Sequence, residues 1–426
     1  MMRDDRRYIL RWLGGMLMLL LLTACSGSSS EGGDEPVPTS KPVLKIYIFP
    51  PDRPAITRAD DLGYVDATAE ENNIHSIHVW VFERDKDDPD NSTKSLLVGY
   101  ISLGNLTLSE AGNGEVTMEI TDAFANRVMT AEKRPRVDVY VAANVTSANC
   151  GISFAGLTNK GVTKESDLEP LFIGRNYFGV TSPMLGVPAD GLPMSGVLKD
   201  QVIAGTSPVF RVGTEQRLSN VQLVRAVSKV RFIFCMSSSN TDNVAVNNIV
   251  LNGSVLPKEE YLFLTDDYNK VTQKWRVKVS EPEPSLTNDY ESSATLISIP
   301  SGTTTIKKND DPYSYSYDGI MTGQAYETLI NNGITQDKLS DLGTVYLRES
   351  DLALAGVINY EIIPYGTTTP NAKTTASYSM KNAGEFSRNH TWIVYGYFIT
   401  NGDLRLNVVE LKDWVSSENP KEIYNW

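Results

Sequence analysis

Apolar and β-branched residues recur along this chain in short runs between Gly, Asn, Asp and Pro clusters, and no long stretch carries a helical period. The clearest predicted strands are Val43 to Phe49, Ile74 to Phe82, Val137 to Val141, Val221 to Phe234, Thr391 to Ile399 and Leu404 to Leu411. In the second, Ile77, Val79 and Val81 share one face, and His78, Trp80 and Phe82 share the other. In the long run from Val221, the apolar Val224, Ala226, Val230, Phe232 and Phe234 alternate with Arg225, Lys229 and Arg231. Short helical turns are predicted at Asp122–Val128 and Ala325–Asn332. The pattern implies an all-β architecture of antiparallel sandwiches. Gly191 to Gly196 closes one block and a polar stretch follows. That places a boundary near 210, with an N-terminal β-sandwich domain over 41–210 and a C-terminal one over 211–426.

The first residues break this pattern. Arg3, Arg6, Arg7 and Arg11 make a basic start, and Trp12 to Leu22 is an apolar run with the length of a signal-peptide core. It ends in Leu22-Thr23-Ala24-Cys25, small residues directly before a cysteine, the form of a bacterial lipobox. The expectation is a signal peptide over 1–24 and acylation of Cys25, with anchoring at about 0.8 kcal/mol per buried CH₂. Ser26 follows the cysteine, which favours delivery to the outer membrane. Residues 25–40 hold almost no apolar side chains beyond the cysteine and read as a solvated tether.

Charge and chemistry narrow the function. The formal charge of −13 argues against nucleic acid and against direct adhesion to anionic lipid. A catalytic reading lacks parts. Of three histidines, His75 and His78 point to opposite faces of a predicted strand and cannot share a metal, and His390 sits where a turn meets a strand. There is no nucleophile elbow, no phosphate-cradling glycine loop and no cysteine pair at zinc spacing. No enzyme activity, cofactor or metal is expected. Cys150 and Cys235 form one disulfide or remain two buried thiols; the sequence leaves both open.

One segment carries a mechanism. The strand Val43 to Phe49 puts Leu44, Ile46 and Ile48 on one face and Val43, Tyr47 and Phe49 on the other, as in a strand buried within a sandwich. Pro50, Pro51 and Pro54 then stop it and hold the next residues extended. Arg53 precedes a proline, which protects it from arginine-directed proteases, whereas the Arg58–Ala59 bond is open to cleavage. Such a cut releases lipid, tether and first strand together. It leaves an apolar slot with unpaired backbone, a template for strand addition. The tail offers a plug. Leu404, Leu406 and Val408 alternate, the parity then flips to Val409 and Leu411, and Ile423 and Trp426 end the chain in apolar side chains. The flip implies a bulge or pairing with two different neighbours.

The lipobox at Cys25, Thr57-Arg58-Ala59, Val79-Trp80-Val81-Phe82, Val139 to Asn144, Leu192-Pro193-Met194, Leu223 to Val230 and Arg388-Asn389-His390-Thr391-Trp392 occur in an order that resembles the FimA/Mfa-like fimbrillin superfamily of Bacteroidales, the type V pilins. The resemblance implies two transthyretin-like antiparallel β-sandwich domains in tandem, and a lipoprotein precursor carried to the outer membrane and cell surface. It implies cutting by an arginine-specific protease after the residue matching Arg58. It further implies polymerisation with other fimbrial subunits into a fimbrium, a C-terminal strand of one filling the slot of the next. Stalk and tip subunits both fit. The rival expectations are an anchoring or capping subunit, and a glycan-binding surface lipoprotein using Trp80, Tyr100 and Tyr177 as a sugar platform. The surface receptor is not encoded in any readable motif.

Overall fold

The computed structural model describes residues 41–51, 68–104, 106, 114–147, 153–174, 184–214, 219–253, 255–263, 285, 288–298, 306–309, 320–321, 340–350, 352, 354–370, 372–379, 388–399 and 404–411. Cys25, Arg58, Ala59, Cys150, Tyr177, the helical turn expected at 325–332, Ile423 and Trp426 lie outside them.

The described residues are almost all β. In chain order the strands are β1 (Val43–Phe49), β2 (Ile77–Glu83), β3 (Leu96–Leu103), β4 (Gly114–Glu119), β5 (Arg136–Ala143), β6 (Phe172–Gly174), β7 (Met184–Leu185), β8 (Met194–Thr206), β9 (Val209–Val212), β10 (Asn220–Gln222) and β11 (Val224–Arg225). There follow β12 (Ser228–Ser237), β13 (Asn243–Leu251), β14 (Glu259–Tyr261), β15 (Ala294–Ser298), β16 (Lys308–Asn309), β17 (Ile320–Met321), β18 (Ser340–Leu347), β19 (Ala355–Ile363), β20 (Ala372–Ser379), β21 (Thr391–Phe398) and β22 (Leu404–Leu411). The predicted turn at 122–128 is the helix Asp122–Thr130, capped by the Thr121 hydroxyl and burying Phe124, Ala125 and Val128.

One sheet runs β10-β1-β9-β8-β5-β2-β3, with β4 also on β1 and β11 on β8. A second runs β17-β22-β21-β12-β18-β7, and a third β15-β13-β19-β20. Two apolar cores match them. The first gathers side chains from Leu44 to Val227, joined by Leu262, Phe263 and Tyr346. The second gathers Val230, Phe232, Phe234 and Met236 with residues of the later strands.

Two sequence expectations change. The polar stretch after Gly196, where the boundary near 210 is placed, holds the β8–β9 hairpin, whose partners run from Ile203↔Val212 to Thr206↔Val209. The single strand expected over 221–234 is three. In it β10 lies parallel to β1, β11 pairs with β8, and β12 enters the second sheet. The backbone must turn at 226–227 because its side chains change cores there. The alternation holds for Val230, Phe232 and Phe234 but fails before them. Arg225 and Lys229, expected on a polar face, are buried at 0% and 4% exposure, for a reason given below.

Candidate functional site

The site is the place held by β1. On one edge β4 pairs antiparallel with it, from Val43↔Glu119 to Ile48↔Gly114. The other edge is shared, with β9 taking Val43 to Lys45 and β10 taking Tyr47 to Phe49, both parallel. A strand with hydrogen-bonded neighbours on both edges is interior to its sheet. The ends are also tied. Val43 N–H donates to the Pro208 carbonyl at 2.8 Å, and the Phe49 carbonyl accepts from Leu223 N–H at 2.9 Å.

Register explains the burial. Leu44, Ile46 and Ile48, all 0% exposed, sit opposite Met118, Val116 and Gly114, the inward positions of β4. On the other edge Leu44 meets Phe210 and Ile48 meets Val221, both fully buried. At about 1.5–3 kcal/mol per buried side chain, these three contribute roughly 5–9 kcal/mol, an upper bound because the unfolded chain is not fully extended. The expected second apolar face is only half-buried and carries polar work instead. Glu115 accepts from Lys45 Nζ at 2.6 Å and from the Tyr47 hydroxyl at 2.7 Å, and Glu119 pairs with Lys41 Nζ at 3.0 Å. Those hydrogen bonds from Lys45 and Tyr47 hold the Glu115 carboxyl below its ordinary range.

Immediately after the segment 52–67 the chain is locked, by residues that no sequence pattern singled out. Thr68 and Glu71 form a capping box around the helical turn Ala69–Asn72. The other oxygen of Glu71 accepts from Lys229 Nζ at 2.8 Å and from the Tyr346 hydroxyl. Burial alone raises the Glu71 carboxyl; the Lys229 charge and these hydrogen bonds outweigh it and hold it below its ordinary value. Arg225 reaches the Glu71 carbonyl at 3.3 Å, Asn389 Oδ1 at 3.1 Å and the Asn72 side chain. These oxygens are why Arg225 and Lys229 face inward. The Thr68-x-x-Glu71 spacing was the available signal for the box; nothing local points to Lys229 or Tyr346.

The proposed plug divides. Leu404, Leu406, Val408, Val409 and Leu411 lie in β22, which pairs with β21 without a break from Phe398↔Leu404 to Thr391↔Leu411. Leu404 and Leu406 pack on the second core. On its other edge β22 meets β17 at Val408 and Val409, so the parity flip falls where a second neighbour joins. Two residues of the sugar platform, Trp80 and Tyr100, fall among the described residues. Trp80 is wholly buried with its Nε1 donating to the Leu157 carbonyl at 3.0 Å, and Tyr100 stacks with His78 on the same cluster. His75 lies outside β2, and His78 is half-buried with Nδ1 at 3.0 Å from the Tyr100 hydroxyl. Burial lowers the His78 pKa. Cys235 is buried on β12.

A scan against protein-family models gives no match, and a search of curated proteins gives none. Among solved structures, neighbours carry the names of fimbrial and cell adhesion proteins of the Bacteroidales. The tip fimbrial protein Mfa3 from Porphyromonas gingivalis, with C-terminal truncation, is 12% identical at TM-score 0.45, covering 87% of this chain and 99% of its own. A fimbrial assembly protein from Parabacteroides distasonis is 14% identical at TM-score 0.43, covering 87% and 95%. At such identities and scores these neighbours fix nothing about this chain's site, which rests on the strands described above.

Proposed function

We propose that this chain is a structural subunit, stalk or tip, of a cell-surface fimbrium, made as a lipoprotein precursor and assembled by strand exchange. Two tandem transthyretin-like sandwiches, one over each core, are part of that reading. Cys25 carries the lipid that holds the precursor at the outer membrane, an arginine-specific protease cuts between Arg58 and Ala59, and β1 then leaves with the tether. The strand of another subunit fills the slot. The observation that carries this is β1 itself: an interior strand with three fully buried apolar side chains, linked covalently to the strands that follow only through the segment holding Arg58. Its loss opens a slot with an apolar floor and unpaired backbone on both walls, which favours strand addition. The lock at Glu71 supports the same order of events, because residues from Thr68 onward stay fixed whether or not the preceding bond is cut. The role is structural rather than catalytic.

The test is to treat purified precursor with an arginine-specific protease. The expected product begins at Ala59 and forms ladders on unheated gels, while an Arg58→Ala protein stays lipidated and monomeric. Monomers persisting after complete cleavage would overturn the reading.

A further inference from the structure

Of the slot's two walls, β4 presents Glu115 and Glu119 on its outward side, and in the precursor both carboxylates are satisfied by β1, through Lys45, Tyr47 and Lys41. Removing β1 strips them of these partners. Other charges nearby give partial relief. Arg211, register partner of Lys45 on β9, acts on Glu115, and Lys160 donates to the Glu119 carbonyl at 2.6 Å. Neither takes the place of Lys45 Nζ, which sits 2.6 Å from Glu115 in the ladder between the inward-facing Leu44 and Ile46.

We infer that Glu115 is a specificity determinant of the slot, selecting an incoming strand with large apolar residues at alternate positions and a cation, not an anion, between the first and second of them. The occupant is a β-strand of another subunit with that pattern. This deepens the strand-exchange reading and rests on it. The floor sets the apolar spacing, which many strands satisfy. The rim adds a charge condition that fewer do, the usual division between apolar affinity and electrostatic selectivity. Because Lys45 and Glu115 are both partly solvated, the effect is moderate. Matching the pair gives a few-fold preference, and placing an anion against Glu115 widens it to about tenfold.

The experiment uses the full chain after complete arginine-specific cleavage, with the bound fragment stripped in mild urea and the protein returned to native buffer, and labelled synthetic peptides of residues 41–49, native and with Lys45→Glu. Incorporation is followed by native gel and fluorescence anisotropy at low salt. The native peptide is expected to exchange in about tenfold better than the Lys45→Glu peptide, and on a Glu115→Lys protein the preference reverses. High salt narrows both differences. Equal incorporation of the two peptides on both proteins would overturn the rim while leaving strand exchange standing. If neither peptide enters, the strand-exchange reading fails and the rim fails with it. A Glu115→Gln protein, which leaves the exposed side of β4 otherwise unchanged, guards against a folding defect in the reversal; it is expected to accept both peptides alike.

Discussion

Glu71 holds the chain where the segment with the proposed cleavage bond meets the folded body, and its carboxylate is buried at 1% exposure against Lys229 and Tyr346. Replacing it by Gln leaves a buried ammonium without its counter-charge, at a cost of about 3–5 kcal/mol near neutral pH. The pH dependence follows from the lowered carboxyl. A carboxylate depressed in the fold contributes stability above its unfolded pKa, and that contribution is lost as pH falls through the folded value. Urea midpoints of wild type and Glu71→Gln should therefore differ most at pH 7 and converge in acid. Glu260 behaves in the opposite sense. Burial, reinforced by the Glu349 charge against Arg388, pushes its carboxyl up to about 8. Its proton is bound more tightly in the fold, so wild-type stability falls as pH rises from the ordinary carboxylate range toward 8. Glu260→Gln keeps an oxygen for the Glu349 N–H, which now donates to Glu260 Oε2 at 2.7 Å. It should be more stable than wild type by at least about 1 kcal/mol at pH 8, with the advantage vanishing below pH 4. Neither residue was legible in the sequence beyond the local capping box. Their partners are far away along the chain, and buried charge pairs leave no periodic trace.

Among elements, β1, β21 and β22 were legible almost to the residue, because β1 and β22 alternate apolar side chains and β21 is a continuous apolar and aromatic run, each between clear breakers. The crossing at 221–237 was not. Its alternation is continuous in sequence, yet the structure spends it on three strands in two sheets, and the inward turn of Arg225 depends on oxygens supplied from elsewhere. The plug was half legible. Alternation identified β22 as a strand but gave no indication that β21 already occupies its edge from end to end. Donating β22 to a neighbour would break that pairing and lift Leu404 and Leu406 off the second core. The donor is thus better sought in 412–426, where Ile423 and Trp426 lie. A chain ending at Leu411 is expected to fold with a thermal midpoint within a few degrees of wild type, and to form no ladder after cleavage. A large drop in the midpoint would place those residues in the fold instead. Within the slot, Ile46→Ala should cost the precursor about 2–5 kcal/mol, since Ile46 is fully buried opposite Val116 and its truncation leaves a cavity there.

At the scale of the whole molecule, the proposed cleavage at Arg58 would not by itself empty the slot. Cutting the chain removes a covalent link, but β1 keeps its two hydrogen-bonded edges and its three buried side chains. The roughly 5–9 kcal/mol those contribute, an upper bound, opposes release of the strand once it is a separate peptide. It is also comparable to the total stability of an ordinary domain, about 5–15 kcal/mol, so a subunit with a vacant slot is at the edge of unfolding around its first core. Exchange therefore favours displacement, one strand entering as the other leaves, over a long-lived empty intermediate. Two results are expected. Cleaved subunit isolated by gel filtration before it has polymerised should still carry the fragment ending at Arg58 and lose it in mild urea, whereas subunit in the ladder should have released it. Once the fragment is stripped, hydrogen exchange should quicken in β4, β9 and β10 and leave β12 and β21 protected, because the second core contains no residue of β1. Uniform loss of protection across both cores would mean that the joint at Glu71, Lys229 and Arg225 couples them into a single unfolding unit.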